Sequence, residues 1–518
     1  MDVQQFVSTI QEGYKSKGSC ITLGAAILNG QCYGDAKITI PLKMMNRHGL
    51  IAGATGSGKT KSLQVLAEQL SRNGVPSLLM DIKGDLSGIA AAGATNEKIE
   101  ERHEKLGVAF EAQGSPVELL SLSDEAGARM RATVTEFGPI LFSKILGLND
   151  TQTGIMSIVF QYCDDKKMPL VDLKDVRKVL QYVTEEGKAE IEKDYGKIAA
   201  TSIGTIMRSL VTLEQQGAER FFGEPSFEVK DLCRKNSEGQ GVISVLRLTD
   251  IQDKPNLFST FMLSLLAEIY ASFPEAGDLD RPKLVIFIDE AHLVFSEASK
   301  ALLDQLESII KLIRSKGVGI YFCTQVPDDV PESILGQLGL KIQHTLRAFT
   351  AKDRKGIKLA AQNFPESEYY VVEELLTGLG IGEALVTALS EKGSPTPLAH
   401  TLLRAPESRM GVLTEGEIED LANSSDLVSK YNRDVDSKSA YEILTAKMEA
   451  AQAEEEEVSE EKESNTPSKA EKEEPGLIES LTKNTMVRQV GRAVAKEITR
   501  GLLGVLGLGG GKKKGGWF

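Results

Sequence analysis

The sequence has no stretch of eighteen or more uninterrupted apolar residues, so a membrane-crossing helix is not expected. Its first residues, MDVQQFVSTIQEGYKSKG, lack the basic start and apolar run of a secretory leader. Cysteine is sparse. Cys20, Cys32, Cys163, Cys233 and Cys323 are odd in number and far apart, with no C-x-x-C pair. That spacing argues against a disulfide framework and a cysteine zinc site, and makes a reducing cytoplasm the simplest compartment. Excess positive charge is also missing, since the net charge is −14 over 518 residues. Residues 449–474 hold eleven Glu and three Lys, and residues 475–518 hold eight Lys/Arg and two Glu, which leaves −12 on residues 1–448. An acidic body does not present the broad basic surface of a typical nucleic-acid binder.

What is present is strand–helix alternation. Residues 1–45 alternate short apolar runs with Gly and Asn and read as a short β-rich segment, too small for a barrel. HGLIAGATGSGKTKSLQVLAEQL reads strand, Gly-rich turn, helix, and VPSLLMDIKGDLSGI is a second strand running into a turn. The pattern returns at GVISVLRLTDI, LVIFIDEAHLVF and VGIYFCTQ, with amphipathic helices between them. LVIFI is the composition of a strand buried on both faces of a parallel sheet. The expected fold is therefore α/β, a mainly parallel sheet covered by helices. Its core is split between residues 46–94 and 241–405. Residues 95–240 read as a helical insertion without a chemical signature, and 406–448 as a helical extension. Residues 449–475 are a Glu-rich run without apolar periodicity, expected as a disordered linker. Within 476–518, Val487, Val490, Val494, Ile498 and Leu502 share one helix face, beside a stripe of Arg488, Arg492, Lys496 and Arg500. That basic amphipathic helix has two expected docking places, its own domain or an anionic membrane surface.

GATGSGKT, residues 53–60, fits G-x-x-x-x-G-K-[ST] at every position, between an apolar strand and an amphipathic helix. Such a loop wraps a phosphate chain in backbone N–H groups. Gly53, Gly56 and Gly58 admit the close approach, with Ala54, Thr55, Ser57 and Lys61 completing the contact. Lys59 neutralises phosphate oxygens and the Thr60 hydroxyl ligates Mg²⁺. The implied cofactors are ATP and Mg²⁺. Asp289 and Glu290 end the apolar strand, where carboxylates face the phosphate site of a doubly wound sheet. Asp289 then holds the metal and Glu290 orients or activates water. Gln325 ends the next strand and reads either as a γ-phosphate contact or as a turn residue. Arg314, in LIRSKGVGI, is open to two equal readings: an arginine reaching a neighbouring subunit's phosphates, or a helix C-terminal cation. His292 is undecided. Asp81, Lys83 and Asp85 in MDIKGD read as a solvated turn.

Asp289–His292 spell D-E-A-H, the signature of a helicase group. That group also needs an arginine-rich Q-x-x-G-R-x-G-R stretch in a second RecA-like domain, and none occurs here. The ordered set resembles a different family. P-loop, D-x-K-G-D, the Asp-Glu strand, then R-x-x-G-x-G leading to Thr-Gln is similar to the HerA/FtsK group of RecA-like motor ATPases. RHGLIAGATGSGKT and MDIKGDLSG look like its bacterial HerA-like C-terminal-domain proteins of the YjgR type. The resemblance covers residues 20–405 and the tail helix. It implies a RecA-like P-loop NTPase working as a homo-hexameric ring, often a DNA translocase or helicase. It further implies that Lys59 and Thr60 bind nucleotide, Asp289 binds Mg²⁺, and Glu290 activates water. Gln325 would sense the γ-phosphate, Arg314 would be a trans arginine finger, and Arg347 would be a second interface arginine. The sequence departs from the archaeal members, which carry a sizeable N-terminal β-barrel, and from FtsK-type members, which carry membrane helices and a winged helix. DNA is thus expected from the resemblance alone. The competing expectation is an ATP-dependent interaction or assembly protein acting on a protein or membrane partner.

Overall fold

The computed structural model describes residues 2–252, 254–295, 300–433, 435 and 437–450. Most of the acidic run from 449 and all of the tail helix from 476 lie outside the described residues. The described chain divides into two units, Met1–Met130 with Phe227–Arg433, and Arg131–Ser226 with the segment from Asp434 onward.

The first unit is organised by one twelve-stranded sheet. In chain order the strands are β1 (Cys20–Leu28), β2 (Gln31–Pro41), β3 (Gly49–Ala52), β4 (Ser77–Asp81), β5 (Val117–Ser121), β6 (Ala128–Arg129), β7 (Ile243–Arg247), β8 (Leu284–Ile288), β9 (Val318–Thr324), β10 (Leu340–Gln343), β11 (Glu383–Thr387) and β12 (Ala399–Leu403). Their spatial order is β2-β1-β12-β11-β10-β3-β9-β8-β4-β7-β5-β6. From β10 to β6 every pairing is parallel. The four strands from β11 to β2 join by antiparallel pairings. The mainly parallel sheet expected from the sequence is present.

Strands β3, β8 and β9 are buried along their whole length. Alternation explains how both faces stay dry. Val285, Phe287, Tyr321 and Cys323 join Leu63, Leu66 and Leu70 in one core. Those leucines belong to helix α2 (Lys59–Arg72), which follows α1 (Val3–Gly13) and precedes α3 (Glu97–Leu106) in the chain. Ile286, Ile288 and Phe322 point the other way and are buried too. Phe322 meets Phe295 there, with ring centroids 5.7 Å apart.

The first segment is not purely β. Phe6, Ile10 and Tyr14 recur every four residues and are buried, and Asp2 caps α1 by accepting from the Gln4 N–H. Phe6 sits edge-on to Tyr33, Tyr369 and Tyr370. Strands β1 and β2 extend the main sheet through β12 rather than standing apart.

The structure draws the helical insertion more narrowly than residues 95–240. Helix α3 and strands β5 and β6 belong to the sheet unit, and the helical unit begins at Arg131. VELLS pairs in parallel with β7, so its apolar run fills a sheet position. The helical unit contains α4 (Val134–Ile145), α5 (Asp150–Asp165), α6 (Leu173–Tyr182), α7 (Lys188–Asp194) and α8 (Ala200–Gln215). Capping boxes at Thr133, Asn149 and Asp172 start three of these helices. Phe142 packs against Phe160 and Phe222 in its core.

In the first unit, α9 (Pro255–Ser272), α10 (His292–Phe295) and α11 (Lys300–Ile313) pack together. Over 406–448, expected as a helical extension, the structure has two short helices in this unit, Glu415–Asn423 and Asp426–Tyr431, and a helical stretch at 440–450 in the other. Among the described residues, no helix is long and apolar enough to cross a membrane.

Candidate nucleotide site

The carboxyl ends of β3, β9 and β8 lie side by side, with β9 in the middle. β3 feeds a Gly-rich loop that starts α2. The loop is pinned on both sides, by the Gly53 N–H donating to Thr324 O on β9 (3.2 Å) and the Ala54 N–H to Thr345 O beyond β10 (2.8 Å). Gly53 has φ 153°, and a Cβ there would stand 2.5 Å from the His344 Cβ. Gly58 caps α2 at φ 112°, a conformation L side chains rarely adopt. The helix N-terminus therefore opens toward the loop, the geometry that favours an anion.

Lys59 begins α2 and turns back into the loop, donating to Gly53 O (2.7 Å) and Ala54 O (3.3 Å). Burial pulls its ammonium below the ordinary lysine value, while Glu290 and Asp289 push it back up. Thr60 is half-buried in the same turn. Ser57 is buried with its hydroxyl unpaired. Thr55 and Gly56 are exposed along the loop. The Lys61 side chain donates to Gln64 Oε1 (3.3 Å) and to Met410 O, which leaves its backbone N–H for the phosphate loop.

Asp289 and Glu290 follow β8 directly and are buried. Burial and the neighbouring Glu290 charge raise the Asp289 carboxyl to about 6. Its Oδ2 is buried without a hydrogen-bond partner. An orphaned carboxylate oxygen is costly unless a cation satisfies it. Among the described residues, no cluster of three or more His, Cys, Asp or Glu forms a metal cage. The donor set therefore fits a hard cation held by Asp289 and the Thr60 hydroxyl, with the remaining ligands coming from phosphate and water, as Mg²⁺ prefers.

Glu290 is held in a way the sequence did not suggest. Its backbone has φ 47°, uncommon for a residue with a Cβ. Lys83 pairs with Oε1, and His292 Nδ1 stands 3.2 Å from Oε2. The turn after β4 places Lys83 there. Asp81 accepts from the N–H groups of Gly84 (2.8 Å), Asp85 (3.0 Å) and Leu86 (3.1 Å) and so fixes the loop. Burial nonetheless raises the Asp81 carboxyl to about 7. Burial lowers Lys83, but its bond to Glu290 and the nearby Asp289 and Asp85 charges outweigh that and raise it. MDIKGD is thus a turn built by Asp81, yet Lys83 leaves it for the carboxylate pair. The one available signal was a lysine at the end of a parallel strand next to β8.

Gln325 follows β9 directly and is exposed at this same edge. Arg314 precedes β9 in a short 3₁₀ turn, Arg314–Lys316, and is exposed at the opposite edge. Seven strand residues separate the two positions, about 20 Å at ~3.3 Å per residue. Arg314 therefore does not share the P-loop of its own chain. Arg347, read as an interface arginine, instead approaches its own loop, with Nη2 at 3.5 Å from Thr55 O. Two histidines escaped the sequence reading. His344 Nε2 lies 2.9 Å from the Ser62 hydroxyl under the loop, and His48 Nδ1 accepts from the Ile320 N–H at the base of β3.

A parallel sheet with a P-loop on one strand, an Asp-Glu pair two strands away and a polar strand end between them defines the RecA-like P-loop ATPase class. The family described as Helicase HerA-like C-terminal matches residues 27–514, and the chain belongs to it. It is 22% identical over 358 residues to the DNA double-strand break repair helicase HerA of Sulfolobus acidocaldarius. It is 24% identical over 358 residues to the protein of that name from Sulfurisphaera tokodaii. Each match covers 68% of this chain and 64% of the relative, so the chain spans less than two thirds of these relatives' length. Among solved structures, the bacterial conjugative coupling protein TrwBdeltaN70 in its unbound monoclinic form has a TM-score of 0.51 at 13% identity. That match covers 79% of this chain and 95% of that one. Plasmid coupling protein TrwB in complex with the non-hydrolysable GTP analogue GDPNP has 0.50 at 14%, covering 78% and 95%. These likenesses concern the fold.

Proposed function

We propose that the protein is an Mg-ATP-dependent motor ATPase that works as a homo-hexameric ring and translocates or unwinds DNA. The observation that carries the reading is the split of the catalytic set across β9. Gln325 stands with Asp289 and Glu290 at one edge, and Arg314 stands at the other. Phosphoryl transfer needs positive charge on the γ-phosphate oxygens, which an arginine supplies best. Arg314 stands at the opposite edge from its own loop, so in this reading it serves a neighbour's phosphates, while Arg347 lies beside its own loop.

In this reading the loop N–H groups and Lys59 hold the phosphates, and Asp289 with Thr60 holds Mg²⁺. Held there, Mg²⁺ would supply charge neutralisation to the phosphates. Glu290 takes a proton from the attacking water as the bond from the γ-phosphorus to the bridging oxygen breaks, leaving ADP and phosphate. Gln325 orients that water or the γ-phosphate. Arg314 of the adjacent subunit neutralises the transferring group. DNA as the cargo rests on the names of the relatives. The −12 charge on residues 1–448 favours the competing reading, an ATP-driven assembly protein with a protein or membrane partner.

Two measurements test the proposal. Purified protein should hydrolyse ATP faster with single- or double-stranded DNA. Normal basal turnover without stimulation would count against the DNA motor and for the assembly protein. Mixing Arg314→Ala with Lys59→Ala subunits should restore part of the ATPase activity, because one kind supplies the P-loop and the other the arginine. Zero activity at every ratio in intact rings would remove Arg314 from the trans role.

A further inference from the structure

We propose that Phe349 and Ile381 clamp the purine ring of the bound nucleotide, on the side of the P-loop away from the carboxylates. The inference rests on the nucleotide reading above and adds where the base goes.

The direction comes from the sheet order. Asp289 and Gln325 follow β8 and β9, which lie on one side of β3. A triphosphate with its γ end toward those groups must leave the loop on the other side, over β10 and β11. Two segments touch the loop there. After β10, Thr345 O accepts from Ala54 N, and Arg347 reaches toward Thr55 O. Before β11, the Gly382 N–H lies 3.4 Å from Ser57 O. Arg102 fastens this second segment by donating to Ile381 O (3.1 Å), Gly382 O (3.1 Å) and Leu403 O (2.9 Å).

Each segment carries one large apolar side chain held out in solvent. Phe349 is 81% exposed and Ile381 is 78% exposed, the two highest values among large apolar side chains of the described residues. Phe349 lies two residues beyond Arg347, and Ile381 is adjacent to Gly382. Exposure of this degree is unfavourable unless something covers it. Two such groups flanking a phosphate loop suit a flat ring, since an aromatic face and an aliphatic side chain hold a base by stacking area. Stacking reads area rather than the ring edge, so both purines fit and a pyrimidine fits less well.

The test compares binding of ATP and of inorganic tripolyphosphate by calorimetry, with full-length protein and Mg²⁺. Phe349→Ala should weaken ATP about tenfold, as loss of one stacking partner does, and leave tripolyphosphate within twofold. Ile381→Ser should behave alike, and Phe349→Trp should retain most ATP affinity. Equal loss for both ligands would overturn the clamp, because the loop itself would then be damaged. Unchanged ATP affinity with a smaller assembly by light scattering would also overturn it, because a second copy of the chain would be what covers Phe349. Lys59→Ala separates the two proposals. It should lose both ligands, and ATP binding equal to wild type in that variant would sink the P-loop reading itself.

Discussion

Replacing Lys83 with Met removes the ammonium that pairs with Glu290. Lys83 pairs with Oε1 of a carboxylate whose side chain is 6% exposed, while Lys83 itself is 41% exposed. A hydrogen bond between a charged donor and a buried carboxylate contributes ~1.5–3 kcal/mol. Solvent screening at Lys83 puts this pair at the low end, about 1.5 kcal/mol. His292 Nδ1 stands 3.2 Å from Oε2 without a hydrogen bond to it, so Lys83 is the main hold. Glu290 also keeps a left-handed backbone, a strain of about 1 kcal/mol that the Lys83 pair helps to maintain. Both features restrain where the carboxylate can move. Freeing Glu290 should lower the barrier by about 1.5 kcal/mol, close to a tenfold gain in rate. The assay is steady-state phosphate release without nucleic acid. Lys83→Met should raise kcat about tenfold with KM unchanged within twofold, and Lys83→Arg should stay near wild type. A fall in kcat for Lys83→Met that Lys83→Arg restores would refute the restraint and make Lys83 part of the transition-state charge balance.

Three further outcomes follow from the geometry. His48 is buried, and burial with the nearby Arg314 charge lowers it to about 4. Its contribution is fully present above the unfolded value of about 6.5 and is lost as pH falls toward 4. His48→Asn, which keeps an acceptor and tolerates the left-handed backbone, should reduce the stability lost between pH 7 and pH 5 by about 2 kcal/mol in urea titrations; an unaltered pH slope contradicts this. Asp81→Ala strips the acceptor from three backbone N–H groups and should cost about 2–3 kcal/mol, with Asp81→Asn recovering part; a loss under ~0.5 kcal/mol would mean the turn holds itself. Gly53→Ala drives a Cβ into His344 at a backbone angle unsuited to it, so ATP binding should disappear by calorimetry, and retained affinity would mean the loop is more pliable than its packing indicates.

The parallel core was legible because LVIFI and VGIYFCT are apolar throughout, and only a strand covered on both faces needs that. The P-loop and the Asp-Glu pair were legible because each is local: the chemistry sits within a few consecutive residues. What escaped was long-range or ambiguous in period. VELLS is leucine-rich and short, so its place beside β7 depends on strands more than a hundred residues away. Helix α1 was readable from Phe6, Ile10 and Tyr14, but the alternating segment after it dominated the window. Lys83 is 207 residues from Glu290, and nothing in MDIKGD distinguishes a lysine facing solvent from one facing a carboxylate. Arg347 lies over its own loop only because β10 returns beside β3.

The position of β3 has a consequence for how the protein is made. Ile51 pairs with Cys323 on one side and Ile342 on the other. A chain emerging from its N-terminus therefore exposes GLIAGATGSGKT long before either flanking strand exists. Synthesis at ~5–20 residues per second leaves this apolar strand without its neighbours for roughly fifteen seconds to a minute. The loop's two backbone bonds, to Thr324 O and Thr345 O, are likewise missing in that interval. The segment most conspicuous in the sequence thus gains its sheet neighbours late, and its apolar strand stays open to mispairing until they arrive.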